Sequence, residues 1–146
     1  MDNALLLLDL MRAFYWFDEN LRRRLAEQGW PPVTRSQSLV LGNVATGVTR
    51  PSRIAENLGV SRQAMSQLLG EMVSAGLIEL APDPDDKRAQ RIQFAAAGAQ
   101  IREVAQQILR DLEAEVEGAI GAPQMASLRA ALARIPPAAP DAASST

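Results

Sequence analysis

Arg62, Gln63, Ser66 and Gln67 stand at one-, three- and four-residue steps, a spacing that gathers them on one face of a helix. Their side chains break no bonds, but they read surfaces well. An arginine fork matches the acceptor pair of guanine, a carboxamide matches the donor and acceptor of adenine, and a serine hydroxyl adapts to either. Ser61 precedes them as a residue that can cap the helix through its hydroxyl and still reach a phosphate. Arg50 and Arg53 lie upstream and Lys87 downstream, cations of the kind that dock phosphates without reading sequence. The chemistry this points to is hydrogen bonding in a major groove.

Such a face needs a frame. Counting from Pro51, the apolar residues Ile54, Ala55, Leu58, Val60, Met65 and Leu68 fall where two short helices crossing steeply must bury side chains. Ala55 is small where the backbones approach, and Gly59 sits at the turn, where the chain adopts positive φ most easily. This is the pattern of a helix-turn-helix. Gly76 closes its second helix. Residues 77–80 then read as a strand, and 91–94 alternate as a returning one. Between them, residues 81–90 form a turn-rich loop with two prolines, three aspartates, Lys87 and Arg88. A helix-turn-helix followed by a hairpin is a winged helix.

This passage resembles the MarR family of bacterial transcription regulators, in the run 60–79 and above all in Asp83-Pro84-Asp85-Asp86-Lys87-Arg88 followed by Ile92, Phe94 and Gly98. The resemblance extends more weakly over residues 5–135. It implies that Asp86 and Arg88 occupy the places of a D-x-R motif, the arginine entering the minor groove and the aspartate orienting it. Ala95 departs from the pattern, since the family usually carries there a threonine that caps the next helix.

Composition bounds the rest. At 146 residues the chain suits one domain with a real core. Cysteine and histidine are absent, which removes disulfides, thiolate nucleophiles, Cys/His metal sites and the Ser-His-Asp triad. No paired acidic motif suggests carboxylate catalysis, so the reading is of a non-enzyme needing no cofactor or metal. Fifteen basic residues against seventeen acidic ones and a pI near 5.2 argue against a nucleic-acid partner. The distribution argues back. Residues 34–67 hold Arg35, Arg50, Arg53 and Arg62 against Glu56 alone, while acids crowd 103–117. The short apolar run 5–8 has neither the basic start of a signal peptide nor the length to span a bilayer, so a cytoplasmic protein with no membrane partner is expected.

Outside the reading head the pattern is helical. From Asn3 to about Gln28, Leu7, Leu10, Phe14, Phe17, Leu21 and Leu25 form one stripe, and Leu5, Leu8, Met11, Tyr15 and Trp16 a second. Two stripes suggest burial between two chains. Gly29 to Pro32 break this helix, Thr34 and Gln37 form a capping box for the next, and Thr49 can cap the one after. Ile101, Val104, Ala105, Ile108, Leu109, Leu112, Val116 and Ile120 continue as a long stripe. Met125, Leu128, Leu132 and Ile135 form a last short helix. Phe14 and Phe17 fit the packing stripe, whereas Tyr15 and Trp16 point elsewhere, to a dimer partner or to a ligand cavity. Arg12, Trp16 and Asn20 share a face by their four-residue spacing, and Tyr15 and Trp30 could complete an enclosure suited to a planar aromatic molecule bearing a carboxylate.

The sequence thus predicts a mainly α protein with a small β-hairpin wing. Residues 1–30 and 96–135 would form a helical dimerisation region, 33–95 the winged helix-turn-helix, and 136–146 a flexible tail. The expected activity is that of a homodimeric repressor on a pseudo-palindromic double-stranded DNA operator, released by a small organic effector. The competing expectation is a winged-helix module for protein interaction, lacking sequence-specific DNA binding.

Overall fold

The computed structural model describes residues 5–136. Among them are six helices and one hairpin: α1 (Leu6–Glu27), α2 (Arg35–Ala45), α3 (Pro51–Leu58), α4 (Arg62–Ser74), β1 (Ile78–Pro82), β2 (Gln90–Phe94), α5 (Ala96–Ile120) and α6 (Ala122–Ala133). The winged-helix architecture expected from the sequence is what forms. The expected helix start at Asn3 and all of the expected flexible tail beyond Pro136 lie outside the described residues.

Local chemistry accounts for most boundaries. Thr34 Oγ1 accepts from the Gln37 amide while the Gln37 carboxamide accepts from the Thr34 amide, so the capping box closes and starts α2. Gly59 ends α3 at φ 69°, a left-handed conformation that costs other residues about 1–2 kcal/mol. Thr49 does not cap α3. Arg50 holds that position without a side-chain bond, and Pro51 at the first helical place needs no amide partner. The Thr49 carbonyl instead accepts from the Ile92 amide at 2.8 Å, tying β2 to the segment that leads into α3.

The hairpin is longer than the sequence suggested, because β1 runs two residues past Leu80 and leaves a shorter loop. It is antiparallel, with Ile78 opposite Phe94 and Pro82 opposite Gln90. Pro82 is tolerated at a strand end beside the loop. α2 packs on α3, α4 and β2, α3 on α4 and β2, and α4 on β1. The core here is Val40, Val44, Ile54, Ala55, Met65, Leu69, Met72, Ile78 and Ile92. Leu69 and Met72 extend the Met65 stripe by four- and three-residue steps and replace Val60, which is 38% exposed. Val60 follows the positive-φ turn, where the chain has left the helical face that Ile54 and Ala55 share.

Gly98 lies under this layer. A Cβ there would stand 1.9 Å from the Leu77 carbonyl oxygen, so only glycine lets the first turn of α5 approach the entry to β1. Ala95 offers no side-chain cap, yet its carbonyl accepts from Ala99 at 2.8 Å and its amide donates to Leu77 O at 3.1 Å. Backbone bonds therefore hold the helix start for which the sequence supplied no threonine.

The chain divides into two compact units, one reaching Ile108 and one beginning at Leu109. In the first, Leu25 is buried and Leu10, Phe17 and Leu21 are half-buried. Leu7 is 72% and Phe14 40% exposed, contrary to the packing role expected of both, and Leu5, Leu8, Met11, Tyr15 and Trp16 are exposed with them. Apart from the half-buried Leu10, both stripes of α1 thus stay open over its first half. In the second unit Leu112 and Met125 are buried, and Arg129 Nη2 donates to Glu113 Oε2 at 2.6 Å. Leu128, Leu132 and Ile135 are exposed.

Candidate nucleic-acid interface

Ser61 opens α4 from extended backbone, and its Oγ accepts the Ala64 amide at 3.1 Å. The hydroxyl hydrogen remains available to an acceptor outside the protein. Because Met65, Leu69 and Met72 turn inward, Arg62, Gln63, Ser66 and Gln67 are carried together on the exposed side of the same helix. The face expected from their spacing is therefore present, solvated and rigidly mounted on a buried stripe.

The wing loop is organised around its first aspartate. Asp83 is buried. Its Oδ1 accepts the Asp85 amide at 2.9 Å, its carbonyl accepts the Asp86 amide at 3.3 Å, and its amide donates to Ala89 O at 3.0 Å. Arg50 Nε donates to its Oδ2 at 3.0 Å. The Asp85 amide, and after it Arg50, hold the Asp83 carboxyl below the usual carboxylate range, burial opposing them. Asp86 meets Arg88 through the main chain: its Oδ1 accepts the Arg88 amide at 3.0 Å, an Asx-turn. Lys87 and Arg88 are exposed at the tip. With Arg50, Pro51 and Ser52 they line a groove of about 680 Å³, closed on the wing side by Pro82, Asp86, Ala89 and Gln90.

The other arginines of the expected basic field are largely spent. Arg53 Nη1 donates to Glu56 at 3.2 Å. Arg35 pairs with Asp18 and Glu19, each at 3.1 Å. Arg62, Lys87 and Arg88 carry no ion pair among the described residues. These three unpaired cations stand at the start of α4 and at the tip of the wing, where Asp85 and Asp86 are exposed beside Lys87 and Arg88.

Asp18 is the residue that sequence reasoning missed. It falls four residues after Phe14 and three before Leu21, in the apolar stripe of α1, and a lone carboxylate there was the signal. It is buried, accepting from Arg22 Nε at 2.9 Å, Arg35 Nε at 3.1 Å and Ser38 Oγ at 2.7 Å, and so joins α1 to α2. That hydrogen bond raises the Arg35 pKa above its ordinary value. The Arg35 guanidinium also lies 4.3 Å from the centre of the Tyr15 ring, within cation–π range.

Of the residues expected to line a ligand site, Arg12 is 81% exposed and pairs with Asp9 at 2.8 Å. Asn20 Nδ2 donates to Trp16 O at 2.8 Å, and its Oδ1 accepts from Arg23. Trp16 meets Phe17 edge-on at 5.0 Å. Trp30 is half-buried after α1, its amide donating to Leu25 O at 3.1 Å. Tyr15 is thus brought to Arg35, while Arg12 and Asn20 take partners on α1 itself.

Residues 32–89 match the sequence model of the MarR family. Over 134 residues the chain is 27% identical to the multiple antibiotic resistance protein MarR of Escherichia coli K12, covering 90% of this chain and 93% of that protein. The crystal structure of apo MarR from E. coli superposes with a TM-score of 0.70 at 25% identity, over 93% of this chain and all of that one. The transcriptional repressor CouR bound to a 23-mer DNA duplex shares the fold, with a TM-score of 0.65 at 22% identity over 88% of this chain and 90% of that one.

Proposed function

The chain belongs to the MarR family of winged-helix transcriptional regulators, and from that premise we propose that it is a homodimeric repressor that reads double-stranded DNA with α4 and the wing. The observation that carries this reading is the pairing of an exposed Arg62-Gln63-Ser66-Gln67 face with a wing tip whose cations, Lys87 and Arg88, have no acidic partner among the described residues. Arg62 and Gln63 take base edges, Ser61 and Ser66 phosphate or sugar, and Gln67 the far end of the same face. Arg88 enters the minor groove and Lys87 holds the adjacent phosphate. Two copies set two recognition helices about one helical turn apart, which demands a pseudo-palindromic operator. Bound there, the dimer excludes polymerase from an overlapping promoter in the cytoplasm.

A small organic effector, an aromatic carboxylate in chemical class, releases the operator from a site that includes Arg12, Tyr15, Trp16, Asn20 and Trp30. With so few unpaired cations, non-specific affinity is modest and falls steeply with salt. The deciding experiment is to let the purified protein select duplexes from a random pool, then to titrate salt against the selected site. A half-site repeat and a steep counterion slope are the expected result. Failure to enrich any duplex, with a flat slope, would favour a protein-interaction module instead.

A further inference from the structure

Among the described residues Asp83 and Asp18 are the buried polar or charged side chains, and the DNA contacts proposed above use neither. Asp83 stands where β1 gives way to the wing loop. One of its carboxylate oxygens and its main chain close that loop from inside, onto Asp85, Asp86 and Ala89. The other oxygen receives Arg50 Nε from 33 residues earlier in the chain, at the mouth of α3. The neighbouring residue, Thr49, accepts from Ile92 of β2. Wing and reading head are therefore tied at two adjacent points, one charged and one backbone.

We infer that Arg50 and Asp83 form a clamp fixing the angle of the wing against the start of α3, both serving as positioning residues for Arg88. This rests on the DNA-binding reading. A two-stranded hairpin is marginal on its own, and a rocking wing would have to be ordered at the moment of binding, which weakens affinity. Arg50 is half-exposed, 52% by its side chain, but Asp83 is only 8% exposed. Swinging Arg50 out to a phosphate would strand a desolvated carboxylate without its cation, a costly exchange. The paired geometry is therefore kept on DNA, and Arg50 works through the wing.

The test uses the full chain and a duplex selected from a random pool. Asp83→Asn and Arg50→Gln should each weaken binding roughly tenfold, in line with the loss of a charged hydrogen bond. The double variant should lose no more than the worse single one. Trypsin should cut faster after Lys87 and Arg88 in both variants. A minor-groove-binding polyamide, which should displace the wild-type protein, should compete less well with them. Arg62→Ala should weaken binding while leaving cleavage and polyamide competition as in the wild type. Additive losses, or unchanged cleavage, would overturn the clamp and make Arg50 an independent contact. Should Asp83→Asn fail to fold, Arg50→Gln, altered at an exposed position, carries the same readouts. If the wild-type protein bound no duplex while both variants were cut faster and non-additively, the DNA reading would fall and the clamp would stand.

Discussion

At the scale of single residues, what matters is which polar groups are already committed. Arg62 and Gln63 are exposed with no ion pair, so replacing either with alanine should cost about 1–3 kcal/mol against the preferred duplex and relax its choice of base. Binding measured across single-base variants of the site would show it; full affinity with an unchanged preference would remove these residues from the readout. Asp83 makes a pH prediction. Its carboxyl lies below the ordinary 3.8, chiefly through the Asp85 amide and then Arg50, so the ionised form is favoured by folding. Its contribution is fully present above that ordinary value and disappears as pH falls through the depressed one. The stability gap between wild type and Asp83→Asn, followed by urea unfolding, should be flat near neutrality and close in acid. A gap that widened in acid would reverse the assignment.

At the scale of elements, the start of α5 is the tightest junction. Gly98 has no room for a Cβ against the Leu77 carbonyl, and that atom is backbone, so it cannot turn aside. Gly98→Ala should destabilise the protein by about 1–3 kcal/mol, the usual cost of overpacking, with weakened DNA binding because β1 must shift. An unfolding midpoint equal to that of the wild type would mean the helix can slide at no cost. The capping box of α2 and the Ser61 cap of α4 were legible because caps are local, three residues from the amides they satisfy. The bounds of β1 were less so, since strand length depends on a partner strand whose residues come eight to sixteen positions later.

At the scale of the whole molecule, the exposed stripes of α1, with Leu5 and Leu8 in line with Tyr15 and Trp16, make the homodimer proposal concrete. Leu8→Asp should yield monomers by sedimentation at micromolar concentration and lose operator binding, whereas Leu112→Asp, at a position buried within its own chain, should cost folding itself. A folded wild-type monomer at that concentration would defeat the proposal. The effector reading is tested by titrating aromatic acids while following tryptophan fluorescence and operator release. Arg12→Ala and Trp16→Ala should blunt both signals; release unaffected by either change would move the site off α1.

The sequence by itself determined the winged helix, the exposed polar face of α4 and the turn-rich charged loop of the wing. These rest on short-range rules: helical period, positive φ at a turn, hydroxyls before helices, charges clustered in one loop. It did not reveal how much of the basic field was available. Arg35 meets Asp18 seventeen residues back, and Arg50 meets Asp83 thirty-three residues on. Periodicity says which face a side chain is on, but not which distant acid the returning chain will bring to it. Tertiary packing alone placed those two acids out of water, where a carboxylate must find a cation or a hydrogen-bond donor, and so gave two arginines of the apparent basic field partners within the fold.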